Sequence, residues 1–201
     1  MAYESFRRGS TMVRVGFIVE GDCEKIVVES SVFRQFLQES GCHLVTPVVD
    51  AKGGGNLLPQ NIEVFISVLK SNGVDKIYVL TDLEDEPSVA VVKSRIQHAK
   101  VETVFVAVKA LEAWFLADTP AMSKWLGIDL SEAYPEVTIN KPWDRLKEVS
   151  KELGKPGPGS KPAFAKKMTK HFGFSVGQAA THPNCPSARE LIDFFKAAYR
   201  E

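Results

Sequence analysis

With 201 residues, 44% of them apolar, and 25 acidic against 25 basic side chains, the chain can bury one full core and carries no global field pulling it toward nucleic acid or a membrane. Cys23, Cys42 and Cys185 form no CxxC pair, which argues against a zinc knuckle or a disulfide framework and fits a reducing cytosol. The apolar run Val13–Val19 is far too short to span a bilayer, so a soluble, cytoplasmic protein without membrane contact is expected.

Val13–Val19 reads as a buried strand, and Glu20-Gly-Asp-Cys as a tight turn in which Asp22 caps a helix. That helix runs to about Glu39 on a stripe of Ile26, Val27, Phe33, Phe36 and Leu37, and ends at Ser40-Gly41. Leu44–Val49 predicts a second strand, followed by a Gly53-Gly-Gly loop and a helix from about Pro59 to Ser71. Lys76–Leu80 is the third strand, and it opens into Thr81-Asp-Leu-Glu-Asp-Glu-Pro. Ser88 caps the next helix, and Thr103–Val108 is the fourth strand.

Beyond Lys109 every periodic segment reads as helix: Leu111–Ala117, Pro120–Leu126, Pro142–Leu153, Lys161–Phe172 and Ser187–Tyr199, the last with Ser187 and Glu190 as a capping box. Strands alternating with helices predict an α/β fold with a mostly parallel four-stranded sheet covered on both faces over residues 1–120. Residues 121–201 are expected to form a helical extension packed on it.

In an open parallel sheet ligands bind beyond the carboxyl ends of the strands. Glu20 follows the first strand with Glu24 one helical turn later, Asp82 and Glu84 follow the third, and Glu112 comes just after the fourth with Asp118 six residues on. Brought to about 4 Å, each like-charge pair costs on the order of 4 kcal/mol at an effective dielectric of 20. A divalent cation relieves this, and oxygen-only ligation suits Mg²⁺ or Mn²⁺. Solvated loop carboxylates are the plainer alternative, and Asp85 and Glu86 are read that way.

Phe-Ile-Val-Glu20-Gly-Asp-Cys-Glu24 resembles the first Toprim motif, and Val-Leu-Thr-Asp82-Leu-Glu84 resembles the second, with Glu84 where Asp is commoner. Together with Ala110-Leu-Glu112-Ala-Trp-Phe-Leu-Ala-Asp118, they resemble small stand-alone Toprim-like proteins and the nuclease domain of OLD-family proteins, often linked to phage defence. The resemblance spans roughly residues 13–118. It implies a metal-dependent nuclease in which Glu20, Asp82 and Glu84 carry catalysis and Glu20, Glu24, Asp82, Glu84 and Glu112 hold Mg²⁺ or Mn²⁺. It further implies a defence or toxin effector with a separately encoded ATPase partner. The alternative is a non-catalytic adaptor of the same fold that binds nucleic acid or a nucleotide.

No Asp or Glu occurs between Leu153 and Arg189, while Lys161, Lys166, Lys167 and Lys170 fall there. They are candidates for neutralising DNA or RNA phosphates, with a solvated helix face as the other account. Gly53–Gly55 could present N–H groups to a phosphate, although a surface turn is the commoner use. Gly154–Lys161 evokes a P-loop but has Ser-Lys where Lys-Ser/Thr is required, and no buried strand precedes it. The tryptophans Trp114, Trp125 and Trp143 are expected in the core.

Overall fold

A computed structural model describes residues 12–199. Five strands, β1 (Val13–Val19), β2 (Cys42–Leu44), β3 (Val49–Asp50), β4 (Lys76–Asp82) and β5 (Thr103–Ala107), form one wholly parallel sheet in the order β2-β1-β4-β5, with β3 also on β1. The strand predicted over Leu44–Val49 is thus two short ones on the same edge of β1. Pro47 lies in the gap, where it has no N–H to give to a ladder.

Ten α-helices accompany the described strands: α1 (Asp22–Val28), α2 (Ser31–Glu39), α3 (Glu63–Ser71), α4 (Val89–Ile96), α5 (Glu112–Ala117), α6 (Thr119–Leu126), α7 (Pro142–Glu152), α8 (Lys161–Lys167), α9 (Val176–Ala179) and α10 (Pro186–Ala198). The single helix expected to reach Glu39 is broken at Glu29 and Ser30. There the Ser30 hydroxyl accepts the Phe33 N–H and starts α2 afresh, while Glu29 turns away to accept the N–H of Val48 at 3.0 Å. Gly21, rather than Asp22, is the N-cap of α1. The segment expected to begin a helix near Pro59 enters α3 only at Glu63, after a 3₁₀ turn at Gly54–Leu57.

Strand alternation sorts the core onto two faces. Phe17, Val19, Tyr78, Leu80 and Phe105 point to one side, and Ile18, Ile77, Val79, Val104 and Val106 to the other. On the second side lie Ile62, Ile66 and Leu69 around α3 with Val92 and Ile96 of α4. Gly16 is needed there, because a Cβ would come within 2.9 Å of Val74 and 3.1 Å of Leu69.

The first side is covered by α1, α2 and the helices after β5. Phe164, Met168, Leu191 and Phe195 belong to the same cluster as Val15 and Phe17, so the C-terminal helices share the core of the sheet. Phe195 stands 4.9 Å from the Tyr78 ring and 6.0 Å from Phe17, and truncating such a residue costs about 3–5 kcal/mol. Tyr199 hydrogen-bonds the Tyr78 hydroxyl beside it.

The capping box expected at Ser187 and Glu190 does not form. Cys185 is the N-cap of α10, and Glu190 pairs instead with Lys93. Buried Glu136, far away in sequence, takes the capping role. It accepts the Ser187 N–H at 3.1 Å and the Ser187 hydroxyl at 2.5 Å, while the Trp114 indole donates to that hydroxyl at 2.7 Å. A carboxylate at a helix N-terminus meets unpaired N–H groups and the positive end of the helix dipole. Among the described residues no helix is long and apolar enough to cross a membrane.

Candidate functional site at the carboxyl edge of the sheet

β1 and β4 are hydrogen-bonded neighbours in register Val19↔Leu80, so the residues that follow them emerge side by side. The Glu20 carboxylate accepts the Thr81 hydroxyl and, at 3.2 Å, the Asp82 N–H. Asp82 in turn accepts the Leu111 N–H at 2.8 Å and so fixes the start of α5, whose first residue is Glu112. Glu24 lies in the first turn of α1, with Glu112 and Glu20 close enough to act on its charge. Glu24 and Glu112 are 5% and 2% exposed, which makes them buried acids rather than solvated loop residues.

The electrostatics follow from that crowding. Burial, with Glu24, Glu112 and Glu20 adding repulsion, pushes the Asp82 carboxyl well above its ordinary range. Glu24 is pushed up to about 7, chiefly by burial and then by Glu112 and Glu20. One positive charge answers them: the Lys161 ammonium, at the start of α8, lies 2.9 Å from Glu112 Oε1. Burial works against the lysine's charge, but Glu112 outweighs it and holds the ammonium above its usual value. The other Glu112 oxygen, Oε2, is buried and has no hydrogen-bond partner.

Two clefts meet at Asp82, Glu84 and Asp85. One, of about 160 Å³, is closed by Lys109, Glu112, Ile139, Asn140, Trp143 and Lys161; the other, of about 430 Å³, reaches Glu20, Gly54, Gly55 and Arg95. Two lining residues, Glu84 and Lys109, and Lys52 outside the clefts are the three described non-glycine residues with positive φ (49°, 62° and 60°), and they follow β4, β5 and β3 respectively. The Glu84 N–H donates to the Lys109 carbonyl at 2.8 Å, locking two of these turns together.

No family model, curated protein or solved structure matches this chain. The site's donors are all oxygens, one is buried and unpartnered, and their mutual repulsion is only partly met by Lys161. Among the described residues no three His, Cys, Asp or Glu side chains form a group that could hold a metal ion. Oxygen donors are the chemistry a hard cation takes, and such an ion usually needs only one or two carboxylates with water and substrate for the rest.

The expected residues divide accordingly. Glu20, Glu24, Asp82 and Glu112 converge, while Glu84 stands exposed at the rim of both clefts. Asp118 is structural: its buried carboxylate caps α6 through Ala121 N–H at 3.0 Å and ties down Ser175 N–H at 2.9 Å. The four lysines do not act as one patch. Lys161 enters the acidic site, Lys166 and Lys170 line a separate groove beside Ser30 and Ser31, and Lys167 is exposed on α8.

Gly54 proves to be more than a turn residue, since a Cβ there would lie 3.2 Å from Glu20 Oε1. Sequence reasoning missed Thr81 as a donor to Glu20, and it missed Lys109, Ile139 and Asn140 as cleft residues. Trp143, expected in the core, is partly buried and lines the cleft as well. For Lys161 a signal existed in Ser160-Lys161-Pro162, a helix start, but not where that start would dock.

Proposed function

We propose that this chain is a Toprim-like, Mg²⁺- or Mn²⁺-dependent phosphodiesterase acting on nucleic acid, with the site at Glu20, Glu24, Asp82 and Glu112. One observation carries the reading: carboxylates from three separate strand ends crowd together, Glu24 and Glu112 buried and Glu20 and Asp82 half-buried, with the Glu112 Oε2 atom left without a partner. Such an arrangement is costly unless a cation completes it. A bound divalent ion would polarise the phosphoryl group and lower the pKa of a water.

The chain's own residues divide the remaining work. Glu20, held by Thr81 and the Asp82 N–H, is oriented to take or pass a proton. Asp82 and Glu112 would hold the ion, with Glu24 behind them and Glu84 reaching in from the rim. Lys161 offers positive charge to a phosphate oxygen. A role as effector beside a separately encoded ATPase belongs to the same proposal, supported by the motif resemblance.

The Lys161–Glu112 pair favours one second reading, an adaptor that binds nucleic acid or a nucleotide without cutting it, because a lysine already balances one carboxylate without metal. A nuclease assay with Mn²⁺ and with Mg²⁺, comparing wild type with Glu20→Ala and Asp82→Ala, separates the two. Cleavage lost in both variants supports the enzyme. Binding of nucleic acid with no metal-dependent cleavage, and no Mn²⁺ response in calorimetry, supports the adaptor.

A further inference from the structure

Glu112 carries a partner and an orphan atom at once. The residue is 2% exposed, Oε1 meets the Lys161 ammonium at 2.9 Å, and Oε2 has no hydrogen bond. A buried carboxylate without a counter-charge is costly, so a cation belongs beside it whether or not metal is present. In the metal-free chain that cation is the lysine.

The two ends of the pair differ in freedom. Glu112 opens α5, and the Leu111 N–H just before it is held by Asp82 at 2.8 Å, so the backbone under the carboxylate is fixed. Lys161 is fixed only at its root, where Ser160 caps α8 through the Ala163 N–H and Pro162 occupies the first turn. The lysine side chain is 46% exposed, and its flexible stem lets the ammonium leave Glu112 without moving the helix.

The ammonium also stands in a definite place. Lys161 lines one cleft together with Asp82, Glu84 and Glu112. Burial opposes the lysine's charge, while Glu112 and then Asp82 favour it, so both carboxylates lie within its reach. These are the two residues assigned above to hold the ion. A divalent ion brings twice the charge and approaches an oxygen to about 2.1 Å, as Mg²⁺ does, which favours it over an ammonium at 2.9 Å. The two cations repel each other, so the second gains its full attraction only when the first has left.

We propose that Lys161 is a displaceable counter-ion, which a divalent metal expels from Glu112 when it loads the site. The proposal rests on the metal-dependent reading of these carboxylates and gives the lysine two positions. Without metal it neutralises Glu112; with metal it is released into the cleft, where it is free to meet a phosphate oxygen. Metal affinity is then lowered in proportion to the fraction of molecules in which the lysine still holds Glu112.

Calorimetric titration of the full chain with Mn²⁺ reads this without turnover. If Lys161 is off Glu112 in about one molecule in ten, Lys161→Met and Lys161→Gln bind Mn²⁺ about tenfold more tightly than wild type. The Gln variant keeps a polar tip beside Glu112 and answers for a Met variant that does not fold. Lys167→Met removes the same charge from an exposed position on α8 and should leave the affinity unchanged, which separates local competition from the general field. Mn²⁺ binding by wild type with no tightening in the Lys161 variants overturns the proposal and leaves the metal reading standing. Equal tightening in Lys167→Met overturns it as well. No Mn²⁺ binding by any of the four proteins sinks the metal reading itself, and this proposal with it.

Discussion

Lys161 touches one oxygen of Glu112 at 2.9 Å and leaves the other buried with nothing to accept from. The pair joins the first residue of α8 to the first residue of α5, so the helices beyond the sheet help to complete the acidic site. Removing the lysine strands a buried charge. Because Lys161 is 46% exposed, the loss is discounted from that of a fully buried pair, and Lys161→Met should cost about 1–2 kcal/mol in urea unfolding. The same variant should lower metal-dependent cleavage about a hundredfold, as loss of an electrostatic donor commonly does. Unchanged cleavage would remove Lys161 from the site.

Asp82→Asn keeps an oxygen for the Leu111 N–H while deleting a charge that Glu24, Glu112 and Glu20 oppose. Without metal the variant should melt a few degrees above wild type, in keeping with a gain of about 1 kcal/mol. Added Mn²⁺ should raise the melting temperature of wild type only. A variant that melts lower than wild type in EDTA contradicts the crowding argument.

Glu24 gives a pH signature. Its carboxyl is raised to about 7 in the folded protein, against about 4.3 for an unfolded chain, so the folded state binds the extra proton between these values. The stabilisation is complete below the unfolded value and disappears as pH climbs through about 7, a swing of about 4 kcal/mol at most. Metal-free wild type should thus lose stability between pH 5 and about 7.5, with Glu24→Gln much flatter over that window. Parallel curves for the two proteins would assign the pH dependence elsewhere.

Gly54→Ala would bring a methyl group to 3.2 Å from Glu20 Oε1 and displace the carboxylate by a few tenths of an ångström. Misplacement of a reacting group is costly even when the fold is intact, so cleavage should fall about tenfold with little change in melting temperature. Restored activity in Gly54→Ser, which carries the same Cβ, would count against the steric cause.

The strands and most helices were legible because their signals are local. Val13–Val19 was read to the residue, and Ser88 does cap α4 by accepting the Val91 N–H. The convergence of Glu20 and Asp82 was legible too, since parallel neighbours must deliver their following residues to one edge. What failed was long-range. Ser187 and Glu190 satisfy a local capping pattern, yet the Glu136 carboxyl from a distant turn takes the Ser187 N–H instead, and Ser30 restarts a helix whose apolar stripe runs through unbroken. The lysines of α8 look alike in sequence, and only the docking of the helix start against Glu112 sets Lys161 apart.

The seating of Phe195 and Tyr199 against Tyr78 has a consequence for biosynthesis. A ribosome has to translate through Pro186–Ala198 before the aromatic side of β1, β4 and β5 can be closed. Until then Phe17, Tyr78 and Phe105 stand in water on a nascent chain, an interval in which holdase chaperones and aggregation compete with folding.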